Sequence, residues 1–392
     1  MAMKARIAIA AAILIAAVLM LGKWSRPLAP VTEQPAATSH TGQPPASSTA
    51  RPTRFAPLVT FIQALVERKP ETPPTNFLAD LLHNGNAVKL RPEQVEAYLA
   101  ANHRNAASLI AAFRTTGDTN FLLEATTAFS RDPRVTFTAA SRWDATPEEQ
   151  RRWVEAFKES DPDNALANYL SAFGYFKAGQ QGEAVKELQA AAGKEAFRDY
   201  SLEFMQDSEE AYRAAGHSEV EAKALAFMQL ALPHLRQLRD TGMDAIELAK
   251  SYRQSGDETS AQAALQMALN LARQLEDPGS FNPLINGLVG LKIENRVLET
   301  FDPSLPYGDT GQTVQSRLDE MKDYRKNLQA LVARAWPLLE NSLEQDMLGY
   351  FDRTKAFGEL SAIHWIIEKH SPAAGQSEMQ KPLTGPAALP IW

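Results

Sequence analysis

The sequence predicts an all-α chain whose middle is an α-solenoid of degenerate helical hairpins, with a C-terminal helical cap or bundle. Three observations predict it. Two stretches obey one spacing rule, Tyr175-x3-Gly179-x4-Ala184-x3-Leu188-x2-Ala191 and Tyr252-x3-Gly256-x4-Ala261-x3-Leu265-x2-Ala268. A large residue near the end of one helix, glycine at the turn and small residues in the next let two helices cross closely over a short loop. No long stretch alternates with a period of two, so an extended sheet is not expected. A hydrophobic content of 44% over 392 residues supplies the core of two domains or of one long solenoid.

Residues 1–24 read as a signal anchor. Lys4 and Arg6 precede an apolar run from Ile7 to Gly22, and Lys23-Trp24 follow it. A cleavable signal closes on small residues of the Ala-x-Ala kind. This run closes Val18-Leu19-Met20-Leu21-Gly22 instead, so residues 7–22 are expected to stay in the membrane as a single pass. The bulk of the chain is then periplasmic or otherwise extracytoplasmic. Residues 25–57, dominated by Pro, Ala, Ser and Thr, cannot bury enough apolar surface to order themselves and read as a disordered linker.

Residues 58–160 carry helical signals and more distant repeats. Leu58, Phe61, Ile62, Leu65 and Val66 recur at helical spacing, and Phe77, Leu78, Leu81 and Leu82 mark a short helix. Arg91-Pro92-Glu93 puts proline at a first helical position, with Val95, Tyr98 and Leu99 on one face. Phe113-x3-Gly117-Asp118 reads as a remote copy of the hairpin turn. Thr146-Pro147-Glu148-Glu149 starts another helix, with Thr146 as N-cap and Trp153, Val154 and Phe157 as its buried stripe.

Residues 161–276 hold the repeats. The first unit reads Asn164-Ala165, Tyr175, Lys177, Gly179, Glu183-Ala184-Val185, Leu188 and Ala191, entered through Asp161-Pro162. The second runs from Met243 to Leu269, and Tyr212-x3-Gly216 followed by Ala222 is a weaker copy between them, with Glu209 where a small residue is expected. These units resemble the tetratricopeptide repeat, departing from it at Asn168, where the family has Trp, and at Ser171-Ala172, where it has Leu-Gly. In that family the first helices line a concave protein-binding groove. The resemblance therefore implies a partner surface at Leu166, Tyr169, Phe173, Phe176 and Lys177, continued by Met243, Ile246, Lys250 and Arg253. Aromatic anchors dominate protein recognition, and the basic pair suits a carboxylate-bearing partner. The same aromatics also suit a core built against Trp153 and Phe157.

Residues 277–370 lack the repeat spacing. They read as one apolar helix from Phe281 to Phe301, a loop to Gly311, and two amphipathic segments, Val314 to Trp336 and Leu338 to Lys369. Such a bundle would cap the solenoid. Residues 371–392 read as a disordered tail.

The chemistry the sequence marks is mostly negative. A net charge of -7 argues against a nucleic-acid role. The chain contains no cysteine, which removes disulfides and thiolate chemistry. No phosphate loop, dinucleotide fingerprint, zinc-protease or serine-hydrolase motif occurs. His364 and His370 are spaced wrongly for a metal pair on one helical face, and Glu148-Glu149 and Ser208-Glu209-Glu210 read as a helix start and a solvated face. No catalytic residue, metal site or cofactor is expected. The functional expectation is a membrane-anchored protein–protein interaction scaffold outside the cytoplasm, in envelope assembly or secretion, and not an enzyme. The alternatives are a helical carrier or sensor of a small ligand, which a deep apolar pocket within residues 281–369 would favour, and an enzyme without a recognisable motif, which converging carboxylates or histidines in a cavity would favour.

Overall fold

A computed structural model describes residues 88–370, apart from Trp143, residues 277–280, Asn282, residues 309–310 and Asn341. The expected anchor, linker, helical stretches within residues 58–82 and C-terminal tail fall on residues outside the described ones. None of the described helices is long and apolar enough to cross a membrane.

The first five helices are α1 (Pro92–Ala101), α2 (Ala106–Thr116), α3 (Thr119–Ala128), α4 (Pro133–Ala140) and α5 (Pro147–Ser160). Their starts are local chemistry. Proline opens α1, α4 and α5, where the missing N–H has no intrahelical role. The side chains of Asp118, Asp132 and Thr146 accept the N–H groups of Asn120, Arg134 and Glu149. Gly117, at φ 74°, ends α2 with its N–H on the Phe113 carbonyl at 2.8 Å, so the remote copy is a hairpin turn.

Three hairpins follow: α6 (Ala165–Lys177) with α7 (Gln181–Ala192), α8 (Ser201–Ala214) with α9 (Glu219–Met228), and α10 (His234–Gln254) with α11 (Glu258–Glu276). Each turn is made alike. Gly179, Gly216 and Gly256 sit at φ 71°, 93° and 84°, and the N–H groups of Gln180, His217 and Asp257 reach back to the carbonyls of Tyr175, Tyr212 and Tyr252 at 2.9, 3.2 and 2.9 Å. That six-to-one bond is the Schellman closure of a helix end, and it is what the Tyr-x3-Gly spacing encodes. Ala184, Ala191, Ala261 and Ala268 are buried where the paired helices meet.

The first and third hairpins stack on each other directly, α6 against α10 and α7 against α11. Lys177 Nζ meets Asp244 Oδ2 at 3.1 Å, and Gln274 Nε2 donates to the Lys194 carbonyl at 3.2 Å across the stack. The middle hairpin leaves it. Helix α8 packs on α1 and α2, with Tyr212 Oη donating to the Val88 carbonyl at 2.9 Å and Gln94 Nε2 to the Ala215 carbonyl at 2.8 Å.

The C-terminal region comprises α12 (Leu284–Leu298), an antiparallel pair β1 (Pro306–Tyr307) and β2 (Gln312–Thr313), α13 (Val314–Glu340), α14 (Glu344–Phe357) and α15 (Glu359–His370). Two boundaries differ from the sequence expectation. Helix α13 runs through Pro337, held on either side by the buried Ala335 and Leu339. The segment expected as one helix to Lys369 is instead divided at Gly358, whose φ of 81° closes α14. Close approach explains two helical glycines. A Cβ on Gly242 would stand 2.9 Å from the Ile293 side chain, and one on Gly290 would stand 2.6 Å from the Ala272 carbonyl oxygen, so α12 nests against both α10 and α11.

Two apolar cores result. The larger contains Leu109, Phe157, Leu166, Tyr169, Tyr212, Leu265 and Ile293; the second contains Leu298, Met321, Leu328, Phe351 and Ile366. The middle hairpin joins them by giving Met205, Val220, Ala224 and Phe227 to the second core. Ion pairs reinforce the joint: Lys355 Nζ meets Glu209 Oε2 at 2.8 Å, and Lys223 pairs with Asp352. The expected solvated face Ser208-Glu209-Glu210 is thus corrected, because Ser208 and Glu209 are buried and only Glu210 is exposed. In the C-terminal region Arg317 forms a two-pronged pair with Glu294 at 2.9 and 3.0 Å, both side chains fully buried, and Tyr307 Oη donates to the same carboxylate at 2.8 Å.

Candidate functional site

The residues expected to line a groove divide by depth. Leu166 and Tyr169 are fully buried, so they belong to the core and offer nothing to a partner. The reason is visible along α6: every residue from Ala165 to Ala172 is buried, which leaves that half of the helix no open face. Phe173 and Phe176 are half-buried, and Lys177 is exposed with its ammonium 5.3 Å from the Phe173 ring centre. On α10, Ile246 is buried, Met243 half-buried and Lys250 exposed, paired with Glu247 at 2.7 Å. Arg253 holds Glu258 at 3.2 Å, donates to the Thr300 carbonyl at 3.0 Å and lies over the Phe301 ring. The surface that survives is therefore the C-terminal half of α6 beside α10.

A second feature comes from residues the sequence did not single out. A cleft of about 210 Å³ opens where α2, α4, the start of α8 and the α9–α10 connection meet. Phe113 and Arg114 of α2 form one side, and Phe137, Ser141 and Arg142 from α4 and its exit form another. Asp199, Ser201 and Phe204 come from the entry to α8, and His234 is the first residue of α10.

The charges in this cleft are unequal in their partners. Arg142 closes on Asp144 through two bonds of 2.9 and 2.5 Å, and that contact holds the Asp144 carboxyl below its ordinary range. Asp199 is half-buried, and the loss of water around it would by itself raise its pKa. The His234 ring, with Nε2 3.3 Å from Asp199 Oδ2, and the Ser201 N–H at 3.0 Å outweigh that, and the carboxyl ends below its ordinary value. His234 meets the carboxylate without the alignment of a hydrogen bond and sets its ring edge to Phe137, 5.4 Å between centres. Arg114 donates to the Ala231 carbonyl at 3.2 Å and lies 4.5 Å over the Phe204 ring. Burial pushes its guanidinium down to about 10, against the opposing pull of Asp199 and Asp207. Behind the same helices burial pushes the Asp207 carboxyl up to about 6.

An aspartate and a histidine converge here, the feature the sequence analysis attached to enzymes. Neither ring nitrogen of His234 is hydrogen-bonded to a serine hydroxyl, so the nucleophile–base–orienter chain of covalent catalysis is not assembled among the described residues. No group of three or more metal-ligating side chains occurs among them. Sequence reasoning missed Arg114, Asp199 and His234 because they come from three distant segments with no shared spacing.

Fold and surface together define an all-α protein of helical-repeat type, solenoid-like in its stacking. Compared with protein-family models, with curated proteins and with solved structures, the chain gives no match.

Proposed function

We propose that the protein is a membrane-tethered protein–protein interaction scaffold of tetratricopeptide-like hairpins, working outside the cytoplasm. One observation carries this reading: the direct stacking of α6–α7 on α10–α11, which sets the half-buried Phe173 and Phe176 and the exposed Lys177 of α6 beside α10 with its exposed Lys250. Aromatic rings in a partly covered setting, rimmed by cations, are the anchor type that gives protein interfaces most of their affinity. The apolar run of residues 7–22 supports the tether. A photo-crosslinking side chain at position 176 of the full-length protein, in intact cells, tests the reading. The expected result is one discrete protein adduct that disappears with Phe173→Ala and Lys177→Glu together. An adduct pattern equal to that from the exposed position 123 on α3 would refute it.

A further inference from the structure

The cleft among α2, α4, α8 and the α9–α10 connection holds a cation that no carboxylate contacts among the described residues, its charge favoured only through space by Asp199 and Asp207. Among the described residues Arg114 has no ion-pair partner; its single hydrogen bond, from Nη2, goes to a neutral carbonyl oxygen. The other charged groups of the cleft are engaged, Arg142 with Asp144 and Asp199 with His234. A guanidinium carries five donors in a flat fork, and the half-buried Arg114 spends one of them on the Ala231 carbonyl. The guanidinium carbon lies 4.5 Å over the Phe204 ring, and Nε and Nη1 make no hydrogen bond among the described residues, which leaves donors for a ligand. We propose that this cleft binds a small organic monocarboxylate, its two oxygens taken by the Arg114 fork and its apolar body by Phe113, Phe137 and Phe204.

Three further observations narrow the class. The volume of about 210 Å³, at ~30 Å³ for each water, holds about seven waters, room for a small acid. The Arg114 guanidinium faces a wall that also carries the Asp199 carboxylate, so a monoanion is favoured over a doubly charged phosphate. Ser141 and Ser201 line the cleft with buried hydroxyls that have no hydrogen bond among the described residues. Buried polar groups are almost always satisfied, and a carboxylate oxygen is a partner both hydroxyls can turn toward. This site stands apart from the α6–α10 surface and does not depend on the scaffold reading.

Titration of the full-length protein with benzoate, followed by calorimetry, tests it. Benzoate should bind one to one and raise the thermal midpoint, and inorganic phosphate at the same concentration should not displace it. Arg114→Gln should weaken benzoate about 10- to 100-fold, the worth of a charge-assisted hydrogen-bond pair, while Arg142→Gln changes it far less. Because Arg114 also ties α2 to Ala231, Arg114→Lys is the second variant; it keeps the charge, loses the fork and should weaken binding to a lesser degree. Far-UV circular dichroism establishes that each variant is folded. Absence of benzoate binding at tens of millimolar, equal displacement by phosphate, or parental affinity in a folded Arg114→Gln or Arg114→Lys protein would overturn the proposal.

Discussion

Replacing Glu359 by glutamine isolates one buried carboxyl and its effect on stability. Glu359 opens α15 with 3% of its surface exposed, and its Oε2 accepts the Leu284 N–H at the start of α12 at 3.0 Å. Its Oε1 has no partner among the described residues. Burial pushes the carboxyl up to about 7, against the smaller lowering by that N–H. A carboxyl raised on folding binds its proton more tightly in the native state, so stability is unaffected below the unfolded value of 4.5 and falls as pH rises from there through about 7. At 1.36 kcal/mol per unit, the cost reaches roughly 3 kcal/mol above pH 8. Glutamine keeps a carbonyl oxygen for the Leu284 N–H and carries no charge. Glu359→Gln is therefore expected to match the parent near pH 4 and to exceed it by up to about 3 kcal/mol at pH 8.5, read from paired urea titrations. Groups common to both proteins, such as Asp207 and Glu276, cancel in the difference. An equal stability gap at both pH values would refute the reasoning.

Three other perturbations test separate parts of the fold. Gly256→Ala places a Cβ that meets nothing within 4 Å, so its cost is the left-handed backbone alone, about 1 kcal/mol in a urea titration, and Gly256→Asn should cost less. Gly290→Ala drives its Cβ into the Ala272 carbonyl and should cost about 1–3 kcal/mol, whereas Gly287→Ala on the same helix meets nothing and should be neutral or stabilising by up to about 1 kcal/mol. Glu294→Gln leaves the Arg317 guanidinium buried with its main counter-charge removed and should cost about 3–5 kcal/mol, visible as a large drop in thermal midpoint.

What could be read from the sequence was local. The Tyr-x3-Gly turns and the proline-opened helices depend on a few consecutive residues and their capping bonds, and α1, α5 and the hairpins formed as those residues require. The order of stacking was not local. The path of the middle hairpin is set by contacts such as Lys355–Glu209 and Tyr212–Val88, which no periodicity encodes. One residue hinted at it: Glu209, charged where a repeat needs a small side chain, is the one that pairs with α14. Leu166 and Tyr169 lie in the core for a related reason. Helical spacing gives the face of Leu166 and Tyr169, but whether another helix or water covers that face depends on α5 and α10. The cleft was illegible because Arg114, Asp199 and His234 meet only after α2, α8 and α10 have folded together.

The direct contact between the first and third hairpins organises the repeat region. Zero-length carbodiimide coupling of the full-length protein, followed by peptide mass spectrometry, reads that contact from native side chains. The stacking places the Lys177 amine 3.1 Å from the Asp244 carboxylate and the Lys355 amine 2.8 Å from Glu209, so amide links Lys177–Asp244 and Lys355–Glu209 are expected. Links from Lys177 to the acids of α8 and α9, with none to Asp244, would instead mean that the hairpins stack in sequence order, and the arrangement described above would be wrong.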